Sequence, residues 1–136
     1  MPKDSGIGAS SKRREDVRFL TGNGKYTDDI NVAKQTYAHF VRSDMAHGRI
    51  KNIDVSAAEA APGVLKVFTA ADFAEVGGVP CGWCVTDKHG QPMQEPKHPV
   101  LAEGKVRHVG DPYAVVVAES LAEARDAAEL IDADIE

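Results

Sequence analysis

Chemistry in this sequence would have to come from few side chains, and its two cysteines come first. Cys81-Gly82-Trp83-Cys84 is a Cys-x-x-Cys, a spacing shared by redox dithiols and zinc knuckles. A redox dithiol draws its low thiol pKa from the helix N-terminus on which it sits. This one lies among Pro80, Pro92, Pro96 and Pro99, and no capped helix follows it. Zinc would need two further ligands, and His89 and His98 are the candidates. Their spacing is wider than the usual spacer of roughly three to five residues between paired histidines. The favoured reading is two reduced cysteines in a packed or partner-facing loop, with Trp83 as an anchor.

The other candidates are weaker. Gly6-Ile7-Gly8 and Gly22-Asn23-Gly24 contain the glycines of a phosphate loop, but neither follows a strand and opens a helix. They read as tight turns. Asp28-Asp29 reads as a turn or solvated surface before it reads as a cation site. His39, His47 and His108 have no nucleophile or carboxylate in a catalytic spacing, and no Gly-x-Ser-x-Gly elbow occurs. The residues alone supply no catalytic, cofactor-binding or metal-binding set.

The chain has 136 residues, the size of one domain, with 43% hydrophobic and 27% charged residues. A net charge of −5 speaks against nucleic-acid binding, which rests on excess Lys and Arg, and against an anionic membrane surface. No apolar run approaches the roughly 20 residues of a membrane span. The N-terminal residues are polar and basic, without the apolar centre of a signal peptide. Two cysteines cannot build a disulfide framework. These points predict a cytoplasmic protein.

The elements that would position any site can be read coarsely. Residues 1–15 predict an extended arm, and residues 19–30 a turn-rich segment. Tyr37 to Val41 reads as a strand. Three apolar runs are then each followed by a helix start. Residues 50–55 precede Ser56-Ala57-Ala58-Glu59, a capping box stopped by Pro62-Gly63. Residues 64–68 precede Thr69-Ala70-Ala71-Asp72, with Phe68 and Phe73 as a hydrophobic staple. Residues 113–118 precede Ser120-Leu121-Ala122-Glu123, a full capping box. Leu121, Ala124, Ala128 and Ile131 form a stripe suited to a sheet. Ile131, Ala133 and Ile135 alternate with acids as a strand with one wet face. This alternation predicts a mixed α/β domain over residues 16–136. Between Gly77 and Pro112 the prolines predict a long loop, relieved only by a short strand at residues 105–109. Loops of that length are usually functional or covered by a partner.

Several segments, in this order and spacing, resemble one family. They are Lys12-Arg13-Arg14-Glu15-Asp16-Val17-Arg18-Phe19, Gly22-Asn23-Gly24-Lys25-Tyr26-Thr27-Asp28-Asp29-Ile30 and Phe40-Val41-Arg42-Ser43. Next come Ala46-His47-Gly48-Arg49-Ile50 and Ala61-Pro62-Gly63-Val64. Last are Val106-Arg107-His108-Val109-Gly110-Asp111-Pro112 and Ala114-Val115-Val116-Val117-Ala118. Together they resemble the start of the molybdopterin-binding large subunit of the aldehyde oxidase and xanthine dehydrogenase superfamily, carbon monoxide dehydrogenase large chains in particular. The resemblance implies an α/β hammerhead fold. It also implies an intact enzyme that hydroxylates its substrate at molybdenum and passes electrons through iron–sulfur clusters, usually to FAD. The family's pterin-binding loops and base glutamate lie downstream, and none of those motifs occurs here. No residue of this chain is therefore assigned to catalysis or cofactor binding. The expected role is structural: docking on the downstream molybdopterin-binding domains and contacting the iron–sulfur and flavin subunits. The alternatives are a free-standing binding or assembly module and a small zinc or redox protein built on Cys81 and Cys84.

Overall fold

A computed structural model describes residues 6–9 and 12–136, which form two compact units, Met1–Ala33 and Lys34–Glu136. The expected arm, residues 1–15, lies partly outside the described residues. In the first unit, residues 16–20 form a short helix, α1 (Asp16–Leu20), where a turn-rich segment was expected from residue 19. Its start is held by Arg13 Nε on Asp16 Oδ1 at 3.0 Å, and its end by Thr21 Oγ donating to the Val17 carbonyl at 2.7 Å. Phe19 and Tyr26 stack with ring centroids 5.5 Å apart. Asp29 accepts the Tyr26 N–H at 2.8 Å across the 3-10 turn Thr27–Asp29, so this acid closes a turn, as its position suggested. No described residue of this unit is buried.

The second unit is built on the apolar runs. Its elements are β1 (Tyr37–Arg42), β2 (Gly48–Asp54), α2 (Ser56–Glu59), β3 (Val64–Thr69), β4 (Lys105–Val106), β5 (Pro112–Ala118), α3 (Leu121–Ala128) and β6 (Asp132–Ile135). They make a mixed α/β fold of two antiparallel sheets, ordered β1-β5-β3 and β4-β2-β6. β5 pairs on both edges, with Val115 opposite Phe40 on one side and Phe68 on the other. A strand with two neighbours and covered faces is the one whose sequence runs apolar without alternation, and Ala114, Val115, Val116 and Ala118 are all buried. β1 and β6 alternate instead, one face in and one wet.

Two cores result. Val67 of β3 and Val116 and Ala118 of β5 pack under Ala58 of α2 and Ala124, Ala127 and Ala128 of α3. Ala102, Val106, Tyr113 and Ala114 form the second, with Ile50, Ile53, Ile131, Ala133 and Ile135 against them. Burying a valine or isoleucine fully contributes about 1.5–3 kcal/mol. Gly48 is fixed by close approach: a Cβ there would meet Ile135 Cγ2 of β6 at 2.7 Å.

Local details correct the sequence reading in several places. Ser56 does not cap α2. Its N–H and Oγ–H both donate to Asp54 Oδ1, at 2.9 and 2.7 Å, and these bonds hold the Asp54 carboxyl below the usual carboxylate range. Glu59 turns to Lys66 Nζ at 3.0 Å instead of reaching back. Leu121 remains 39% exposed, so the sheet-facing stripe of α3 is Ala124, Ala127 and Ala128. Small alanines let the helix lie close to the sheet and leave the first-turn leucine at its margin. The strand expected at 105–109 stops at Val106, because Asp111 Oδ2 takes the Arg107 N–H at 2.8 Å and turns the chain toward β5.

The other two helix starts form at the expected residues, but the second holds only half of its expected capping box, because the Glu123 carboxylate takes the Ser120 hydroxyl and not its N–H. Asp72 Oδ2 accepts the Thr69 N–H at 2.8 Å, and the Phe68 and Phe73 rings meet at 5.8 Å. Ser120 Oγ accepts the Glu123 N–H at 3.2 Å and donates to Glu123 Oε2 at 2.7 Å. Glu123 also fills the space beside Gly63 (φ 73°), where a Cβ would strike its carboxyl carbon at 2.3 Å. Ser120→Ala should therefore cost about 1 kcal/mol. Urea unfolding followed by circular dichroism would read this as a lower midpoint, and an unchanged midpoint would contradict the cap.

Candidate functional site

The segment between the 3-10 turn Ala70–Phe73 and β4 carries every residue singled out for thiol or zinc chemistry. Its prolines deny it a continuous ladder, yet it folds back on itself. Gly78 and Pro99 form one isolated bridge, and Val79 N–H donates to the His98 carbonyl at 2.7 Å. Farther out, Thr86 and Pro92 form a second bridge, and Met93 N–H donates to the Val85 carbonyl at 3.0 Å. At the tip Asp87 Oδ1 accepts the N–H groups of His89 and Gln91, at 2.8 and 2.9 Å, an Asx-type turn.

This doubling back sets Glu95 against the cysteine pair. Glu95 Oε1 accepts the Cys81 N–H at 2.7 Å, and Oε2 lies 3.5 Å from Cys84 Sγ. Cys81 Sγ is 3.3 Å from the Trp83 carbonyl. The two sulfurs and a Glu95 carboxylate oxygen all lie within 4.8 Å of one another, and all three residues are exposed. The Glu95 carboxylate accepts the Cys84 thiol hydrogen and adds a nearby negative charge, and both effects push that thiol above its ordinary range. An attacking thiol needs the opposite, and no helix follows the pair. His89 and His98 are absent from the cluster; one gives its backbone N–H to the tip turn, the other its carbonyl to Val79. Sequence reasoning missed Glu95, since no ligand-spacing rule points to a carboxylate brought in by the return of a loop.

This segment leaves several large apolar side chains exposed among its polar ones. Trp83 is 77% exposed, and Val76, Val79, Val85 and Met93 are exposed on the same stretch of chain. Tryptophan is rarely left in water on a monomer and is enriched in the energetic centres of interfaces. The first unit shows the same imbalance, with Ile7, Val17, Leu20, Tyr26, Ile30 and Val32 exposed.

Two of the segments flagged by order and spacing, residues 40–43 and 106–112, meet in space. Gly110 N–H donates to the Ser43 carbonyl at 2.7 Å, and Ser43 N–H to the Asp111 carbonyl at 3.0 Å. Arg42 Nη1 donates to the Gly110 carbonyl at 2.9 Å. Ser43 and Asp111 are buried, and His108 Nδ1 lies 3.8 Å from Asp111 Oδ2. This knot joins the end of β1 to the start of β5. Its polar groups serve one another, which is scaffold work. His39 and His47 line separate surface depressions of about 510 and 540 Å³, with Arg125 and Glu129 in the first and Arg49, Lys105 and Glu136 in the second. Among the described residues no buried side-chain nitrogen or oxygen lacks a partner. Both depressions are open to solvent, whereas a bound cofactor is held in a concave site that buries most of its surface. No helix among the described residues is long and apolar enough to cross a membrane.

Comparison with known proteins agrees on one family. Residues 21–136 match the family model described as aldehyde oxidase and xanthine dehydrogenase, a/b hammerhead domain. The chain is 44% identical over 130 residues to the nicotine 6-hydroxylase large subunit of Paenarthrobacter nicotinovorans, covering 96% of this chain and 15% of that protein. It is 40% identical over 135 residues to the carbon monoxide dehydrogenase large chain of Afipia carboxidovorans, covering 98% of this chain and 16% of that protein. Among solved structures, quinoline 2-oxidoreductase from Pseudomonas putida 86 superposes with a TM-score of 0.83 at 42% identity, over 98% of this chain and 16% of that one. The chain thus spans about one-sixth of the length of these relatives.

Proposed function

Since this chain belongs to the aldehyde oxidase and xanthine dehydrogenase a/b hammerhead family, we propose that it is the supporting, non-catalytic domain of a molybdenum hydroxylase large subunit. The observation that carries this reading is the uncovered apolar surface. A first unit with no buried described residue has too little core to hold itself, and Trp83 stands in water at 77% exposure. Both suit a domain that finishes its burial against neighbours. The match to about one-sixth of each relative is consistent with such neighbours, which in this reading are the downstream molybdopterin-binding domains of the same subunit.

In this reading residues 1–15 are an arm lying on those domains and residues 16–136 are the hammerhead. The loop around Trp83 docks against a downstream domain or against the iron–sulfur or flavin subunit. The molybdopterin cofactor, iron–sulfur clusters and FAD belong to the rest of a cytoplasmic assembly. The open depressions and satisfied buried polar groups of this chain support leaving the pterin there. When bound there, that cofactor supplies substrate hydroxylation; this chain's residues hold the architecture around it.

The test is reconstitution. The chain produced alone should contain no molybdenum and show no hydroxylase activity. Co-produced with the remainder of its subunit as a second polypeptide, it should co-elute on gel filtration with molybdenum present. Failure to co-elute with a folded remainder would refute the supporting role.

A further inference from the structure

The supporting role does not use the cluster formed by Cys81, Cys84 and Glu95. Their donor set is two sulfurs and one carboxylate oxygen, within 4.8 Å of one another. Zinc binds sulfur at about 2.3 Å and carboxylate oxygen at about 2.0 Å. At tetrahedral angles those bonds place two sulfurs about 3.8 Å apart, and a sulfur and an oxygen about 3.5 Å apart. The Cys84 Sγ to Glu95 Oε2 separation is 3.5 Å. In the absence of a metal the same contact is a thiol-to-carboxylate hydrogen bond, so the ligands are already near their bound places.

The carboxylate is also oriented. Its Oε1 is engaged by the Cys81 N–H at 2.7 Å, which leaves Oε2 facing the sulfur. An outer-shell hydrogen bond on the far atom of a ligand is how metal sites fix ligand direction. Soft sulfur donors exclude magnesium and calcium, which require oxygen cages of six or more ligands. The three residues are exposed, so an ion reaches them without opening the fold.

We propose that Cys81, Cys84 and Glu95 form a three-ligand site for a thiophilic divalent cation of the zinc class, with the fourth tetrahedral position open to water. The ion clips the two legs of the proline-rich loop together, residues 81–84 on one leg and residue 95 on the other. Each thiol releases its proton as it binds. The loop holds only two isolated β-bridges, Gly78 with Pro99 and Thr86 with Pro92, so such a clip rigidifies the stretch that carries Trp83.

The experiment uses the full chain, reduced with a phosphine and stripped of metal by a chelator, titrated with cobalt(II). The expected result is sulfur-to-cobalt charge transfer in the near ultraviolet, with tetrahedral ligand-field bands. These should saturate at one ion per chain and be displaced by zinc. Cys81→Ser and Cys84→Ser should each abolish the charge-transfer signature of a two-sulfur site. Glu95→Gln should weaken cobalt at least about tenfold, while His89→Ala and His98→Ala leave it unchanged. Circular dichroism shows that each variant is folded, and all the substituted side chains are exposed. No charge transfer at a tenfold molar excess of cobalt would overturn the site. So would an ion shared between two chains, or affinity lost in a histidine variant and kept in Glu95→Gln.

Discussion

Leu101→Ala should lower the stability of the Lys34–Glu136 unit by about 2–5 kcal/mol, the range for truncating a fully buried leucine. Leu101 is 1% exposed and is among the largest fully buried side chains. It sits where the proline-rich loop returns to the sheet, beside Ala70, Phe73 and Ala74, around a gap of only about 10 Å³. The next residue's N–H donates to the Pro112 carbonyl at 2.7 Å, which ties the return to the start of β5. The methyl groups removed therefore leave a void beside backbone that is already committed. Leu65, on β3 and 54% exposed, is the control, with a change within about 0.5 kcal/mol expected for Leu65→Ala. Urea denaturation followed by circular dichroism would compare the two. A Leu101→Ala loss below 1 kcal/mol, or one equal to the control's, would mean that the loop return is not anchored as described.

The second large effect is on association and should leave stability untouched. Trp83 makes little contact with its own chain, being 77% exposed, so Trp83→Ala should change unfolding by no more than about 0.5 kcal/mol. If the loop is the docking surface, the same substitution removes an interface anchor. Such residues cost about 2–4 kcal/mol when truncated, roughly a 30- to 700-fold loss of affinity. Calorimetric titration of the chain with the separately produced remainder of the subunit would measure it. Unchanged affinity would move the docking surface away from this loop and leave the first unit's exposed apolar residues as the candidate.

Which features could be read from the sequence follows from the range of the interactions that make them. Ser120 and Glu123 are three residues apart, and their bonds at 2.7 and 3.2 Å need nothing from elsewhere. The alternation of Ile131, Ala133 and Ile135 is likewise a local statement about one strand with one wet face. Ser56 failed because a nearer competitor, Asp54, takes its N–H and hydroxyl; the two readings differ only in which acceptor wins. The central place of β5 between β1 and β3 is a tertiary fact, and a continuous apolar run hints at it without naming its neighbours. Glu95 lay furthest from reach. Its approach to Cys84 depends on the doubling back of a loop with only two isolated β-bridges, and no periodicity encodes that. The resemblance succeeded where patterns stopped, because Arg42, Ser43, Gly110 and Asp111 mark one hydrogen-bonded knot although they lie far apart in the chain.

The central claim is that this chain is a supporting part of a larger molybdenum enzyme. The most direct measurement is the mass of the native polypeptide in its source cells, detected with an antibody raised against residues 34–136, with molybdenum measured in the same fractions. The account predicts a band several times larger than 14.6 kDa, with molybdenum eluting alongside it. A band at 14.6 kDa in fractions free of molybdenum and of any larger partner would contradict it.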